Sequence, residues 1–279
     1  MKFAVTVVSP PGYIHSAAFN EVAETLHHSL LALGHDSVLS TEGRLPGRRH
    51  IVLGANLLPH YPLPLAADAI LYNLEQVEPG SPWFPAELID IFRRHVVWDY
   101  HQKNAAVLKR FGVHVEHIVP IGYAKELTRL RLKPEPDIDV LFCGSMNPRR
   151  EKIIAEMRTQ GLQVDTVVGL YGKARDALIC RAKLVLNMHF FDAKILEVVR
   201  ISYLLANRCA VLSEHSSDPE EDSSFAGGVA FANYHQLAQR ARELIDAPAE
   251  RAHLAQHGFD IMSARPATEY LRTALAHYG

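Results

Sequence analysis

Short apolar runs alternate with longer amphipathic segments from the start of the chain. Residues 3–9, FAVTVVS, are almost continuously apolar, which predicts a buried strand. Residues 17–34 carry apolar side chains at helical spacing and end in Gly34, which predicts a helix with a glycine C-cap. The same signals predict strands at 35–41, 50–56, 69–75 and 96–100, and helices at 85–95 and 104–112. Buried strands that alternate with helices are typical of a parallel sheet covered on both faces.

A polar interruption at 128–139, TRLRLKPEPDID, divides this pattern into two sets. It is charged and holds two prolines, so we predict an interdomain linker. The second set has predicted strands at 140–145, 164–170, 183–189 and 209–214, and predicted helices at 149–161, 173–182, 195–207, 236–246 and 267–278. We therefore predict an α/β protein with two Rossmann-like domains, 1–130 and 131–279, that face each other across a cleft. The last helix could cross back onto the first domain.

Composition and charge narrow the class of protein. The chain has 279 residues, of which 48% are hydrophobic and 22% are charged, so it has enough apolar side chains to build two cores. Its formal net charge is -2. Proteins that bind nucleic acid along much of their surface need an excess of basic residues to displace counterions, and we expect no such binding here.

The cysteines and the apolar runs bear on the cellular compartment. The three cysteines, Cys143, Cys180 and Cys209, are widely spaced in apolar contexts, which is typical of a reducing compartment without a disulfide framework. The apolar stretch near the N-terminus is only six residues long, too short for the core of a signal peptide. No apolar run approaches the length of a membrane span. We therefore expect a cytoplasmic protein.

Polar residues gather where the strand predicted at 183–189 leads into the helix predicted at 195–207. Glu197 lies at the start of that helix, where the helix dipole favours a negative charge. A carboxylate at this place can accept two hydroxyl groups of a ribose, as the acidic residue does in dinucleotide-binding folds. The alternative is that Glu197 only complements the helix dipole.

Four more side chains could meet the same ligand. Lys194 lies next to a helix start, which suits a diphosphate, although it could equally be a solvated charge. His189, with Asn187 nearby, is either a structural histidine at a strand end or a contact to a phosphate or sugar. Tyr171, in the glycine-bearing loop GLYGKARD, could stack on a base.

The loop GSMNPRR is the second local signal in this half of the chain. Gly144 would let a ligand approach the backbone, and the helix that follows offers free N–H groups to a phosphate. Arg149 or Arg150 could bind a pyrophosphate in a forked geometry. Ser145 and Asn147 belong to the same candidate binding site. The alternative is a capped turn with exposed arginines.

The sequences DVLFCGSMNPRREKI and YGKARDALICRAKLVLNMHFFDAKILEVVRISYLLANRCAVLSE resemble the C-terminal half of GT-B glycosyltransferases. The resemblance is strongest to small bacterial proteins related to the CgeB spore-maturation glycosyltransferases. It implies the GT-B fold and a nucleotide-sugar site in this half. Many GT-B enzymes carry two glutamates here, separated by seven residues, and Glu197 falls at the second, ribose-binding position. His189 stands in place of the first and cannot act as that carboxylate does.

The N-terminal half would then hold the acceptor and a general base. His15 lies in the loop SPPGYIHSAAF, and its unperturbed pKa near neutrality suits a base, although it could equally be a helix-capping neighbour of Ser16. Glu75, at a predicted strand end, is the second candidate base. The predicted acceptor contacts at the same strand ends are Asn73, Tyr100 and His101.

We predict neither a metal nor a cofactor. The acidic pair at 137–139 precedes a strand, whereas the metal-binding pair of other glycosyltransferases follows one, and no zinc motif occurs. The hypothesis is a metal-independent glycosyltransferase that uses a UDP-, GDP- or dTDP-linked sugar. Its acceptor would be a glycan, a lipid-linked sugar, a protein or a nucleoside-type small molecule. The alternatives are a nucleotide-sugar epimerase of the same fold and a catalytically silent module that binds sugar nucleotides or glycans.

Overall fold

The chain folds into two compact units, each built around its own parallel sheet. The computed structural model describes residues 1–78, 84–190, 193–276 and 278. The first unit comprises Met1–Glu126 and Arg265–Gly279, and the second comprises Leu127–Ala264. Within the described residues, no helix has both the length and the apolar character that a membrane span requires.

The first unit contains a six-stranded sheet. Its strands are β1 (Lys2–Val7), β2 (Asp36–Ser40), β3 (Arg49–Leu53), β4 (Ile70–Asn73), β5 (Val96–Asp99) and β6 (Val115–Ile118). All neighbours pair in parallel in the order β2-β1-β3-β4-β5-β6. Strand β4 is buried along its whole length, as its apolar side chains on both faces predict. At the carboxyl ends of β4 and β5, Asn73 lies opposite Asp99.

The helices of the first unit cover this sheet. They are α1 (Asn20–Ala32), α2 (Ala86–Phe92), α3 (Gln102–Arg110) and, from the end of the chain, α10 (Ala267–Leu275). Helix α10 packs against α1 and buries Leu271 and Leu275. The last segment of the chain therefore completes the core of the first unit.

Two chain segments cross closely where α10 joins the first unit. The Tyr123 amide donates to the Arg265 carbonyl oxygen at 2.8 Å, and the Ala267 amide donates to the Tyr123 carbonyl oxygen at 2.9 Å. Gly122 makes this approach possible, because a Cβ atom there would lie 2.5 Å from the Cα atom of Ala267. Any larger residue at 122 would force the segments apart.

The second unit contains a five-stranded sheet. Its strands are β7 (Ile138–Cys143), β8 (Val164–Val167), β9 (Ala182–Asn187), β10 (Val211–Glu214) and β11 (Ala230–Ala232). They pair in parallel in the order β11-β10-β9-β7-β8. The helices are α4 (Pro148–Thr159), α5 (Gly172–Ile179), α6 (Val198–Ala206), α7 (Pro219–Ser224), α8 (Leu237–Asp246) and α9 (Pro248–Ser263). The predicted α/β class with parallel sheets is confirmed.

Several elements differ from the sequence-based predictions. The helix predicted from residue 17 begins at Asn20, because residues 14–19 form a 3₁₀ turn instead. The predicted linker ends early, since Ile138 already belongs to β7. Elements β6, β11, α7 and α9 lie outside the predicted set.

Candidate functional site

Three loops meet at the carboxyl ends of β7, β9 and β10, which are neighbours in the second sheet. Arg150, in the first turn of α4, joins two of these loops. Its Nη1 donates to the Ser145 carbonyl oxygen at 2.8 Å, and its Nη2 donates to the carbonyl oxygen of Met188. The loop at 144–150 and the chain just after β9 therefore lie side by side.

Gly144 lies against two guanidinium groups. Its φ of 154° is in the range that favours glycine. A Cβ atom at this position would lie 3.5 Å from Nη1 of Arg150 and 3.5 Å from Nη2 of Arg200. The backbone after β7 is thus bare next to two cations, which is an arrangement that accommodates an anion.

Among the described residues, Arg150 forms no ion pair within 4 Å, and the charges of Glu197 and Glu214 reach it only from farther away. The residue is 2% exposed, and its Nε atom has no hydrogen-bond partner. Its guanidinium carbon lies 5.1 Å from the ring centre of Phe142 and 5.1 Å from that of Phe190. Burial, followed by the charge of Arg200, lowers the pKa of Arg150 to about 10. A bound anion would relieve this accumulation of positive charge.

Asn187 connects Arg200 to Glu197. Nη1 of Arg200 donates to Oδ1 of Asn187 at 3.0 Å, and Nδ2 of Asn187 donates to Oε2 of Glu197 at 2.8 Å. The same Nδ2 donates to the Ser213 hydroxyl at 3.0 Å. Asn187 is fully buried and orders these groups from below.

Glu197 immediately precedes α6, and its side chain is 14% exposed. Its carboxylate lies 3.1–3.2 Å from Nδ1 of His189. His189 is 1% exposed, and its Nε2 lies 3.0 Å from the His215 carbonyl oxygen. Both ring nitrogens of His189 thus contact groups of the protein itself.

Glu214, the last residue of β10, organises the remaining cations. Its buried carboxylate accepts a hydrogen bond from Arg149 and lies 3.7 Å from Nζ of Lys194. It also lies 3.4 Å from the His189 amide nitrogen. Lys194 has a left-handed φ of 47°, so the loop turns sharply beside this carboxylate. Arg149, expected on a pyrophosphate, instead pairs with a carboxylate in this structure.

Glu214 and Arg200 are absent from the predicted site. The signal for Glu214 is its place at the end of the predicted strand 209–214, since carboxyl ends of parallel strands share one edge. The signal for Arg200 is its spacing of one helical turn after Glu197. Neither signal shows which side chains Glu214 and Arg200 contact.

The other residues predicted for this site follow the carboxyl ends of β7 and β8. Asn147 caps α4, because its Oδ1 accepts from the Arg150 amide at 2.9 Å. Ser145 is exposed beside Gly144. Tyr171 immediately precedes α5, at the end of the loop that follows the edge strand β8.

The strand ends of the first unit enclose a buried carboxylate. Asp99 is fully buried and accepts from Nδ2 of Asn73 at 2.7 Å and from Nδ2 of Asn104 at 3.1 Å. It also accepts from the His101 amide at 2.8 Å. Burial raises the pKa of Asp99 to about 7, although these hydrogen bonds lower it. Asn73 therefore supports the loop from below.

Glu75 lies on the loop that this network holds. The side-chain amides of Asn73 and Asn104 both donate to its carbonyl oxygen, at 2.9 Å and 3.0 Å. Among the described residues its carboxylate has no hydrogen-bond partner, and burial raises its pKa to about 7. A carboxyl group with such a pKa can take up a proton near neutrality.

His15 and Glu75 share a neighbour in Tyr13. The rings of Tyr13 and His15 are 5.2 Å apart, and burial and the charge of Glu75 raise the pKa of Tyr13. Of the predicted acceptor contacts, Tyr100 is buried with its ring 5.9 Å from that of His101. His101 caps α3, since its Nδ1 accepts from the Lys103 amide at 3.1 Å. The two candidate bases thus lie around one tyrosine.

The part of the chain that the structure describes contains no group of three or more histidine, cysteine, aspartate or glutamate side chains placed to hold a metal ion. The candidate residues of the first unit include the carboxylates of Glu75 and Asp99. Those of the second unit include the cations Arg149, Arg150, Lys194 and Arg200 and the carboxylates of Glu197 and Glu214.

Sequence comparisons match parts of the chain to uncharacterized viral proteins. No protein-family model matches the chain. An uncharacterized protein of Acanthamoeba polyphaga mimivirus is 34% identical over 129 residues, which is 44% of this chain and 15% of that protein. A second uncharacterized protein of the same virus is 26% identical over 186 residues, which is 64% of this chain and 59% of that protein. The chain thus spans less than two thirds of the length of either relative.

Solved structures resemble the chain over its whole length. Anabaena HepE in complex with UDP and glucose has a TM-score of 0.60 at 12% identity and covers 100% of this chain and 99% of its own. Sucrose-phosphate synthase of Thermosynechococcus elongatus has a TM-score of 0.59 at 12% identity, with 99% and 98% covered. The chain has the GT-B fold. A T4 phage BGT mutant in complex with UDP-glucose shares that GT-B fold, with a TM-score of 0.53 at 13% identity and 99% of each chain covered.

Proposed function

We propose that the chain is a glycosyltransferase that moves a sugar from a nucleotide-sugar donor to an acceptor hydroxyl group. The observation that carries the proposal is the pair of guanidinium groups of Arg150 and Arg200 against the bare backbone of Gly144. Among the described residues, neither arginine forms an ion pair within 4 Å, although the charges of Glu197 and Glu214 act on Arg150 and the charge of Arg200 acts on Glu197. Together the two guanidinium groups form a place for an anion with more than one charge. The diphosphate of a nucleotide sugar is such an anion.

The same cations would assist the chemical step. When the acceptor oxygen attacks the anomeric carbon, the bond from that carbon to the diphosphate breaks and negative charge develops on the departing oxygen. Guanidinium groups fixed in a poorly hydrated site stabilise such charge without having to reorganise. Arg150 and Arg200 would supply this stabilisation, so the proposed reaction needs no metal ion.

Glu197 and the first unit would complete the reaction. Glu197 would accept ribose hydroxyl groups of the donor, and Glu75 or His15 would take the proton of the acceptor hydroxyl if the configuration is inverted. A reaction that retains the configuration needs no such base. HepE and the T4 phage BGT mutant were solved with UDP and UDP-glucose, which makes uridine nucleotides the first ligands to test.

Thermal unfolding in the presence of UDP, GDP, dTDP, CMP and their sugars tests the donor site. A nucleotide at about 100 times its Kd raises the free energy of unfolding by about 2.7 kcal/mol, which raises Tm by several degrees. We expect at least one nucleoside diphosphate to produce this shift. If none of them changes Tm, the donor site is wrong. Binding without sugar transfer to any acceptor would favour the silent binding module.

Replacing Arg200 with methionine should weaken binding of the nucleoside diphosphate about 10- to 100-fold, the loss expected for one charge-assisted hydrogen bond to phosphate. Calorimetric titration measures the change. The matched control is Arg110→Met, which removes an exposed arginine at the end of α3 and should leave the affinity unchanged. Equal affinity of the Arg200→Met variant and the unmodified chain would contradict this placement of the diphosphate.

A further inference from the structure

The position that holds the first glutamate in many GT-B enzymes is occupied here by a buried histidine, and its surroundings suggest a different role. We propose that His189 is a positioning residue, a doubly protonated imidazolium that fixes the carboxylate of Glu197 in the orientation that binds the donor. The second half of this inference rests on the proposed function, because it assumes that Glu197 contacts the donor. The first half stands on the contacts of the ring alone.

The contacts of the ring require two protons. Nε2 of His189 lies 3.0 Å from the carbonyl oxygen of His215, which can only accept a hydrogen bond. Nδ1 lies 3.1–3.2 Å from the carboxylate of Glu197, which accepts when it is ionised. A neutral imidazole carries one N–H group and would leave one of these acceptors facing a lone pair. The residue is 1% exposed, and at these distances no water molecule can lie between the ring and either acceptor.

The surrounding charges leave Glu197 as the counter-ion. The charged and titratable groups of the neighbouring elements are Glu197 and Arg200 at α6, Glu214 and His215 at β10, Arg149 and Arg150 in α4, Lys194 in the loop, and Asp222 in α7. Arg149 and Lys194 both lie at the Glu214 carboxylate, which is therefore already compensated. Among the described residues, the one ion pair of Glu197 is with His189.

The balance of effects on both groups favours the charged pair. Burial lowers the pKa of His189, but the hydrogen bond and the charge of Glu197 outweigh it, so the pKa is raised above its ordinary value. Burial raises the pKa of Glu197, but His189, Arg200 and Asn187 outweigh it, so that pKa is lowered. Both directions agree with an imidazolium beside a carboxylate.

The pair would prepare Glu197 for a ligand. Oε1 accepts from His189 and Oε2 accepts from Asn187, so the carboxylate cannot rotate away. Each oxygen keeps a further lone pair for a hydroxyl group of the donor. Deprotonation of His189 would remove one of the two hydrogen bonds that set this orientation.

Long-range ¹H–¹⁵N NMR of the full chain tests the imidazolium without any ligand. His189→Gln identifies the resonances of the ring. We expect both ring nitrogens to be protonated at neutral pH, with a titration midpoint above the ordinary value for histidine, and Glu197→Gln should lower this midpoint. A ring that is singly protonated at pH 6, or a midpoint that Glu197→Gln leaves unchanged, would overturn the inference.

Nucleotide affinity tests the positioning role. Because a raised pKa favours the protonated ring below its titration midpoint, affinity of the unmodified chain for UDP should fall as pH rises through that midpoint. His189→Gln should bind UDP about tenfold more weakly at pH 6 and should lack this pH-dependent step, whereas the control His253→Gln, at an exposed position in α9, should match the unmodified chain. If His189→Gln keeps full affinity, the positioning role is wrong. If the unmodified chain binds no nucleotide, the proposed function fails and the NMR experiment still decides the charge state.

Discussion

Replacement of Glu75 by glutamine is expected to slow sugar transfer by about 10²- to 10⁴-fold, the contribution of a well-placed general base. Glutamine keeps the size of the side chain and cannot take up the acceptor proton. Because Glu75 belongs to the first unit and the proposed nucleotide site to the second, affinity for the nucleotide should not change. Initial rates with a saturating nucleotide sugar measure the effect once an acceptor has been found.

The pH profile tests for a base that titrates near neutrality, and single substitutions separate Glu75 from His15. Burial raises the pKa of Glu75 to about 7, so the rate should rise with pH up to about 7 and then level off. The control Glu42→Gln, at an exposed carboxylate, should retain the full rate and the same profile. If His15→Gln abolishes the reaction while Glu75→Gln leaves its rate unchanged, His15 is the base. A configuration-retaining reaction would tolerate both changes.

Replacement of Asp99 by alanine is expected to destabilise the first unit by about 3–5 kcal/mol, because it leaves three donors without this acceptor at about 1–3 kcal/mol each. These donors are the side-chain amides of Asn73 and Asn104 and the amide of His101. The total should lie in the lower part of the summed range, since the two asparagine amides keep their bonds to the Glu75 carbonyl oxygen. Denaturant unfolding at fixed pH measures the change. The control Asp99→Asn keeps an acceptor and the shape of the side chain, so it should cost less than Asp99→Ala. Equal stability of the alanine variant and the unmodified chain would contradict this network.

Asp99 also makes stability depend on pH. Its pKa is raised from 3.8 to about 7 in the folded chain, so the folded state binds the proton more tightly than the unfolded state does. Stability from this group is complete below pH 4 and falls as pH rises towards 7. The difference between the unmodified chain and Asp99→Asn should show this decline, and a difference that grows with pH would have the wrong sign.

The alternation of strands and helices is visible in the sequence because the central strands are buried on both faces. Strand β4 shows this most clearly, since all four of its residues are buried. Strand β6 lacks this signal because it lies at the edge of the sheet and its residues, VEHI, are only partly buried or exposed. Helix α9 is hard to predict because it contains Gly258, a poor helix former, which is needed where the helix approaches Gly228.

The location of the candidate site follows from the sequence, but the roles of its residues do not. Parallel strands bring their carboxyl ends to one edge, so the sequence predicts that the loops near Gly144 and Glu197 lie close together. Which cation meets which anion depends on side-chain packing among three loops. Arg149 pairs with Glu214, a residue distant in sequence, while Arg150 is held by carbonyl oxygens. No spacing rule distinguishes these adjacent arginines.

The end of the chain, from Arg265 onwards, packs back onto Gly122 and Tyr123 and belongs to the first unit. This limits how the first unit can be produced as a separate fragment. A fragment that stops at Glu126 contains all six strands of the first sheet but lacks α10, so the face of α1 that covers Leu271 and Leu275 would be open to water. Such an apolar face promotes aggregation. Isolation of the first unit therefore requires residues 265–279 to be supplied as well, joined by a tether or added as a separate peptide.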